Sequence, residues 1–278
     1  MIGEEYNRVR SALFSSTSGS GGGLFVQPNF TALLPQFPEV SYDTLVSIFA
    51  QDCVSRVKVA HAVHRRPERV EGYCERWQAG ESLVDISETI DFPPCNLARL
   101  LLPSLLPAEA ATGRVSKILA DPESLIRVPD QEGGEGLARL ASEVRDCVER
   151  DHVSSPLVAS VKRAIGLEYE SILYQHLESA DLAFETEGEL RKKGATKTPD
   201  ALLKIPFMMG DRVVHWIDSK ACFCSEELYY QEGVRQFKQY VNRFGPGLVI
   251  YWFGYLEGIP PEDGIAISDS FPSEVTRL

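Results

Sequence analysis

The sequence lacks several features that define specialised classes of protein. No run of 18 apolar residues occurs in its 278 residues, so a transmembrane helix is not expected. The opening segment, MIGEEYNRVRSALF, lacks the basic stretch followed by an apolar stretch that marks a secretory signal. We therefore expect the protein in the nucleus and cytoplasm.

Positive charge is scarce. The chain has 28 Lys and Arg against 40 Asp and Glu, a net charge of −12. This balance argues against a protein that coats nucleic acid without specificity, because such binding depends on neutralising phosphates. A local basic patch or a bound metal ion can still bring phosphate to one site.

Closely spaced metal-ligating residues are also scarce. Cys222 and Cys224, in CFC, are separated by a single residue, a poor match to the spacing of zinc ligands. The other four cysteines are scattered and are expected to be small buried hydrophobes. His61 and His64 stand three residues apart on a predicted helix, where a shared ligand and a solvated basic face are alternatives.

Changes in composition divide the chain into three parts. SSTSGSGGG at 15–23 is typical of a flexible linker, so residues 1–40 are predicted to be a flexible segment. Residues 41–130 show helical periodicity. VPDQEGGEG at 128–136 is the best internal border, and 131–278 carry alternating helix and strand patterns. We predict an α/β (α+β) protein with a helical N-terminal domain.

The helical part contains a candidate helix-turn-helix. In SLVDISETIDFPPCNLARLLL, two short apolar stripes flank a break at Asp91–Pro94. The second helix carries little positive charge beyond Arg99, although recognition helices contact DNA. Packing or a protein partner is therefore the alternative to DNA binding.

A predicted β-hairpin contains the candidate catalytic residues. DALLKIPF and RVVHWIDSK alternate as strands, and MMGD supplies a turn in which Gly210 can take a positive φ. With the turn centred between Met209 and Gly210, Asp200 faces Ser219. Its side chain is then expected beside Asp218 and Lys220.

Asp218 and Lys220 are two residues apart, so they project from the same face of a strand, which they share with Val214 and Trp216. A solvated surface salt bridge is the simplest reading. Carboxylates held close together, however, need protons or a cation, and Mg²⁺ prefers carboxylate oxygens. A lysine beside them can orient water and stabilise charge on phosphate.

TPD at 198–200 followed by IDSK at 217–220 resembles the PD-(D/E)xK nuclease superfamily. KTPD, HWIDSKA, NRFGPGLVIYW and AIGLEYE together resemble one eukaryotic branch, the codanin-interacting nucleases. The resemblance extends over nearly the whole chain after Ser41. It implies a restriction-endonuclease-like mixed-sheet domain after the helical part.

The resemblance also implies roles for individual residues. Glu170, in the pattern GxxxE, would be the first metal ligand, with Glu168 as the fallback. Asp200 and Asp218 would bind Mg²⁺ or Mn²⁺, with the Ser219 carbonyl completing the ligands. Lys220 would position the attacking water.

Further residues are implied to support that site. Gln236 and Tyr240 match a QxxxY pattern and lie on one helix face. Relatives often have glutamate where this chain has Asp218, which would change the metal geometry. The basic residues just before the hairpin are expected to grip phosphate, with a solvated loop as the alternative: Arg191, Lys192, Lys193 and Lys197.

These observations favour a metal-dependent nuclease acting on DNA, single-stranded or branched. The alternative is a catalytically weak or silent nuclease fold that binds a codanin-like partner in histone or chromatin traffic. Oligomeric state stays open, although many superfamily members act as homodimers.

Overall fold

A computed structural model describes residues 1–15, 26–106, 114–127, 134–260 and 262–278. The glycine- and serine-rich insertion and most of the predicted border at 128–136 lie outside the described residues. No helix in the described part is long and apolar enough to cross a membrane.

Helices dominate the N-terminal half, and strands follow them. The helices are α1 Gly3–Ser15, α2 Phe30–Leu33, α3 Tyr42–His64, α4 Pro67–Gln78, α5 Leu83–Thr89, α6 Pro94–Leu105, α7 Val115–Ala120, α8 Gly134–Arg150, α9 Pro156–Ser179, α10 Glu187–Lys192, α11 Glu226–Leu228 and α12 Val234–Phe244. The strands are β1 Phe184–Thr186, β2 Ala201–Met209, β3 Arg212–Lys220, β4 Gly247–Tyr251, β5 Ile265–Ser268 and β6 Thr276–Arg277. The predicted class, helices followed by a mixed α/β region, is confirmed.

The described residues form two compact units. The sheet unit comprises Met1–Ala12, Phe30–Phe49 and Arg163–Leu278, and the helical unit comprises Leu13–Asn29 and Ala50–Lys162. Neither unit is continuous in sequence, so their limits differ from the borders predicted at 40 and 130.

Helix α8 shows why the predicted border and the compact units differ. The sequence analysis places α8 after the border at 130, in the C-terminal domain. In the structure its apolar side chains Leu140, Val144 and Cys147 belong to the core of the helical unit, together with Leu97 and Leu101 of α6. The apolar stripe of α8 is therefore buried against other helices of that unit rather than against the sheet.

The predicted pair of short helices, α5 and α6, is present in the helical unit. Ser82 caps α5 by accepting a hydrogen bond from the Asp85 N–H at 3.1 Å. Pro94 is the first residue of α6, where its missing N–H costs nothing. Asp91 takes a φ of 51° in the turn between them. The shape is that of a helical hairpin, and a DNA-reading role stays a prediction.

A mixed sheet organises the sheet unit. Its order is β1-β2-β3-β4-β5, and β6 pairs with Phe207 and Met208 of β2, beyond the residues that pair with β1. The pairs β1–β2 and β2–β3 are antiparallel, whereas β3–β4 and β4–β5 are parallel. Every residue of β4 is buried, as expected for a strand covered on both faces.

The predicted hairpin is present, but its predicted register is wrong. Ala201 pairs with Ile217 near the open end, one residue away from the predicted alignment. At the turn Met209 pairs with Arg212, so the turn consists of Gly210 and Asp211. Gly210 has a φ of 62°, as predicted. The register shifts between Leu202 and Phe207, and such an irregularity cannot be read from alternation alone.

The same irregularity changes which side chains share a face of β3. Val214 and Ile217 pack in one core cluster, and Trp216 packs in the cluster on the other side of the sheet. The expectation that Val214 and Trp216 share a face is therefore wrong. Trp216, Asp218 and Lys220 keep the strict alternation and face α12.

Candidate functional site

The candidate site lies where three parallel strands end. β3 ends at Lys220, β4 at Tyr251 and β5 at Ser268. Because β2 runs antiparallel to β3, its first residue and the preceding Asp200 come to this same edge. In open α/β sheets, ligands bind outside the carboxyl ends of the parallel strands.

Asp218 and Lys220 form an ion pair at this edge. Lys220 Nζ lies 2.5 Å from Asp218 Oδ1, and the side chains are 30% and 2% exposed, respectively. Among the described residues, the buried Asp218 Oδ1 accepts no regular hydrogen bond and is held by the ion pair with Lys220. A buried carboxylate oxygen in this state can accept a further donor or a cation.

Asp200 is held against the neighbouring strand. Its Oδ2 accepts a hydrogen bond from the Ser219 N–H at 2.7 Å. The Ser219 hydroxyl accepts a hydrogen bond from Trp252 Nε1 at 2.8 Å. The predicted proximity of Asp200 to the segment from Asp218 to Lys220 is therefore present despite the different register. A metal-binding role for the Ser219 carbonyl stays a prediction.

Helix α9 contributes one further acid. Glu170 is half-buried, whereas Glu168 is exposed on the helix surface. Burial raises the pKa of Glu170, and the negative charges of Glu187 and Asp218 raise it further, against the lowering effect of Lys220. Glu170, and not its predicted fallback, therefore belongs to the electrostatic environment of the site.

The acids outnumber the cation at this edge. Burial raises the pKa of Asp200 well above its ordinary value, and the charge of Asp218 adds to this effect. Burial also raises the pKa of Asp218, although the attraction of Lys220 opposes it. Burial alone would lower the pKa of Lys220, but attraction by Asp218 and Asp200 outweighs it and raises that pKa. The lysine is therefore charged at neutral pH, and it does not offset all the carboxylates.

Helix α12 closes the site from one side of the sheet. Gln236 Nε2 donates a hydrogen bond to Tyr240 Oη at 2.6 Å. Burial raises the pKa of the Tyr240 hydroxyl, and the charge of Asp218 raises it further. Phe237, which the sequence analysis missed, lies beneath the lysine with its ring centroid 5.6 Å from Lys220 Nζ. Phe237 lies between the Gln and the Tyr of the QxxxY pattern, and this position is the sequence feature that could have identified it.

Glu187 is a fourth acid that the sequence analysis also missed. Its N–H donates to the Asp200 carbonyl at 3.1 Å, so it stands beside the TPD segment. Glu187 Oε1 accepts hydrogen bonds from Arg191 at 2.7 Å and from Thr198 Oγ1 at 3.3 Å. The threonine of TPD thus contacts this acid, a relationship between distant residues that no short motif reveals.

The predicted phosphate-gripping residues are all exposed. Arg191 pairs with Glu187 and Lys193 pairs with Glu185. Lys192 and Lys197 form no ion pair within the part of the chain that the structure describes. These two lysines are the more available of the four for a phosphate.

The acidic side chains of the site could bind a metal ion only with water completing its ligands. In residues 1–15, 26–106, 114–127, 134–260 and 262–278, no group of three or more His, Cys, Asp and Glu side chains is arranged to hold a metal ion. Mg²⁺, however, typically takes one or two carboxylates and keeps several waters. Asp200 and Asp218 supply hard carboxylate oxygens, and among the described residues Asp218 Oδ1 is engaged through its ion pair with Lys220 and not through a regular hydrogen bond. The residues therefore fit a water-rich site for one divalent cation.

Other candidates have structural contacts. Arg99 donates to the Ser154 carbonyl at 2.8 Å and to Asn96 Oδ1 at 2.7 Å. His64 Nδ1 lies 2.8 Å from Tyr73 Oη, and its ring packs against Phe92. The six cysteines are free thiols, and five of them are buried, including Cys224 of CFC.

Comparison with known proteins was made by family model, by sequence and by structure. Residues 137–271 match the family model described as "Protein of unknown function TPD sequence-motif". The chain is 39% identical to CDAN1-interacting nuclease 1 of Xenopus laevis, covering 88% of this chain and 82% of that protein. It is 37% identical to the Homo sapiens protein of the same name, covering 88% and 89%, respectively. The chain belongs to the CDAN1-interacting nuclease family.

For this family member, the matched family model includes the whole candidate site, from Glu170 to Tyr240. The match to whole relatives extends over residues of both compact units, because it covers 88% of the chain. No solved structure matches the chain.

Proposed function

We propose that this family member is a nuclease of the PD-(D/E)xK type that hydrolyses phosphodiester bonds in DNA with the help of Mg²⁺ or Mn²⁺. One observation carries the proposal. Asp200 and Asp218 meet at the carboxyl edge of the parallel strands, beside a charged lysine that cannot neutralise both. Relatives that are 37% and 39% identical to the chain over the aligned residues are named as nucleases.

The acids of the site have a common role in this proposal. Asp200 and Asp218 hold the cation, with Glu170 of α9 and the Ser219 carbonyl available to complete the ligands. The bound cation would neutralise these carboxylates and polarise the phosphate. Glu187 adds negative charge at the same edge, which strengthens the attraction of the site for a cation.

Lys220 acts on the attacking water and on the phosphate. Without a bound cation, Asp218 and Asp200 raise the pKa of Lys220, so its ammonium group is charged at neutral pH. It therefore orients the water by donating a hydrogen bond and stabilises negative charge that develops in the transition state. Phe237, under the lysine, restricts its side chain to this edge.

Neighbouring residues support the site and its substrate. Gln236 and Tyr240 form a hydrogen-bonded pair on α12, and Tyr240 is 2% exposed, so this pair holds the helix against Asp218. Lys192 and Lys197 contact phosphates of the bound strand, and Arg191 and Lys193 contribute once released from their acidic partners.

A second candidate function rests on the names of the relatives. Those proteins are described as interacting with CDAN1, and the same partner is proposed for this chain, in the nucleus and cytoplasm. The helical hairpin α5–α6 would serve this contact better than it would serve DNA, because Arg99 is engaged within the fold. A silent scaffold, however, has no physical reason to keep two acids close together, one of them buried.

Cleavage of labelled DNA tests the proposal. Purified protein with Mn²⁺ or Mg²⁺ is incubated with single-stranded, flapped and branched substrates. Lys220→Ala is expected to lower the rate by roughly two to three orders of magnitude, because a charge-stabilising contact is lost. Lys204→Ala is the matched control, since Lys204 is exposed on the same hairpin.

Thermal unfolding of both variants separates chemistry from folding, since Lys220→Ala also leaves Asp218 without its ion-pair partner. An equal rate in wild type and Lys220→Ala on every substrate that is cut would assign the cleavage to another site or to a contaminant. No cleavage of any substrate with either metal would favour the scaffold.

A further inference from the structure

Five aromatic rings form an unbroken row in the sheet unit. Tyr169 lies 5.2 Å from Phe253 and 5.6 Å from Trp252, measured between ring centroids. Trp252 is followed by His176 at 6.1 Å and then by Phe271 at 5.1 Å. The last three rings are nearly parallel, with interplanar angles of 19° and 7°.

The row is attached directly to the candidate site. Trp252 Nε1 donates to the Ser219 hydroxyl at 2.8 Å, and the Trp252 N–H donates to the Lys220 carbonyl at 3.0 Å. Tyr169 immediately precedes Glu170 on α9. The middle ring of the row, Trp252, therefore lies beside the residues proposed to hold the cation and position the water.

The row follows the edge of the sheet at which ligands are expected. Trp252 and Phe253 directly follow β4, and Phe271 follows β5, so both segments leave the carboxyl ends of parallel strands. Tyr169 and His176 are seven residues apart on α9 and so share one face of that helix. The row thus lies along this edge, with two rings on either side of Trp252.

None of the five rings is fully buried. His176 is exposed, and the other four are partly exposed. Aromatic rings have flat faces on which other rings stack, and partly exposed rings beside a polar site can contact a ligand that is bound there. Trp252 and Phe271 also pack against the core of the sheet unit, which holds the row in position.

We propose that this aromatic row is a stacking platform for unpaired nucleobases, so that the nuclease site acts on single-stranded DNA or on a single-stranded segment next to a junction. The inference rests on the proposed nuclease function and specifies its substrate. Bases within a duplex already stack on their neighbours, whereas an unpaired base has a free face for an aromatic ring. Base–aromatic stacking is tolerant of sequence, because every base has a π-face.

The charge of the protein supports stacking as the main source of affinity. The chain carries a net charge of −12, and Glu170, Glu187 and both aspartates lie at the same edge. Attraction of phosphates by basic residues is therefore weak here. Binding that relies on stacking depends less on salt concentration than binding through many lysines and arginines.

DNA binding without cleavage tests the platform. Fluorescence anisotropy in EDTA is measured with a labelled single strand and with the blunt duplex of the same sequence, over a range of salt concentrations. We expect the wild type to prefer the single strand, with a shallow salt dependence. His176→Ala and Tyr169→Leu should each weaken single-strand binding about tenfold, the effect of losing one base–aromatic stack, and leave duplex binding unchanged.

Two further variants make the result specific. His176→Phe keeps an aromatic ring in the parallel stack and should retain single-strand binding. Tyr230→Leu removes a ring that is 39% exposed but lies outside the row, and it should bind as the wild type does. Thermal unfolding confirms that each variant is folded.

Three results would overturn the platform: no preference of the wild type for the single strand, an equal effect of the variants on both DNAs, or loss of binding in His176→Phe as large as in His176→Ala. Because the assay contains EDTA, it measures DNA binding even if the protein cleaves no DNA. A protein that cleaves DNA but fails this assay would retain the proposed function and lose the platform.

Discussion

Lys220 Nζ lies 2.5 Å from Asp218 Oδ1, and this lysine is the cation nearest to the buried acid. Asp200 is held on the adjacent strand through the Ser219 N–H at 2.7 Å. Burial raises the pKa values of both aspartates, and the charge of Asp218 adds to this effect at Asp200, while the attraction of both aspartates raises the pKa of the lysine. The site therefore favours a second cation, and this imbalance of charge underlies the first two predictions.

Divalent metal should stabilise the folded protein. Mg²⁺ or Mn²⁺ that binds only the folded state raises the free energy of unfolding by mass action, by about 2.7 kcal/mol at a concentration 100 times the Kd, and so raises the melting temperature. Asp200→Asn and Asp218→Asn should each abolish this metal-induced shift, which thermal unfolding with and without metal measures. A shift that persists in both variants would place the ion elsewhere.

In the absence of metal, Asp200→Asn and Asp218→Asn should differ in melting temperature. Asp200→Asn keeps an acceptor for the Ser219 N–H while removing a repelled charge, so its melting temperature should rise in EDTA. Asp218→Asn removes the partner of a largely buried lysine, so its melting temperature should not rise. Equal stabilisation by both substitutions would contradict the inferred charge distribution.

Glu170 and Glu168 provide a matched pair on α9. Glu170→Gln should raise the Mn²⁺ concentration needed for half-maximal cleavage roughly tenfold or more, as loss of a group that supports a metal site does. Glu168→Gln should leave it unchanged, because Glu168 is exposed and outside the site. The two variants are compared in metal titrations of both cleavage and melting temperature. The opposite order of effects would make Glu168 the ligand.

Arg99 should act in folding rather than in DNA binding. Its guanidinium donates to the Ser154 carbonyl and to Asn96, both within the helical unit. Arg99→Ala should lower the free energy of unfolding by about 1.5–3 kcal/mol, the range for hydrogen bonds to charged groups. Arg65→Ala, at an exposed position of the same unit, should change it by no more than about 0.5 kcal/mol.

Denaturant unfolding measures both arginine variants, and DNA affinity is measured in parallel. A loss of DNA affinity in Arg99→Ala without a loss of stability would restore the helix-turn-helix as a DNA-reading element.

His64 should make stability depend on pH. Burial lowers the pKa of His64, with contributions from Arg69 and His61, so the folded state favours the neutral ring. The associated stability is present above the ordinary histidine pKa of about 6.5 and is lost as the pH falls through the lowered folded-state pKa. Between neutral pH and pH values near 5, wild type should therefore lose more stability than His64→Gln.

Melting temperatures across this pH range test the role of His64. Parallel curves for the wild type and His64→Gln would show that the histidine does not titrate with folding.

Much of the fold and part of the site could be predicted from short windows of sequence. Alternation in RVVHWIDSK predicted a strand on which Asp218 and Lys220 point the same way, because strand periodicity is two residues. Gly210 predicted the turn, since glycine tolerates positive φ. The apolar stripes around Asp91 predicted two short helices. The roles of Glu170 and Tyr240 depended instead on resemblance to a family, since each lies far from Lys220 in sequence.

Other features were decided only by the tertiary structure. The shift of register between β2 and β3 separated Val214 from Trp216, and α8 joined the helical unit instead of the sheet unit. Glu187 and Trp252 became neighbours of the site through contacts with Asp200 and Ser219. Periodicity and turn chemistry are local properties that each segment carries by itself. Contacts between distant residues depend on the path of the whole chain, which is set by how the apolar faces of all the elements pack together.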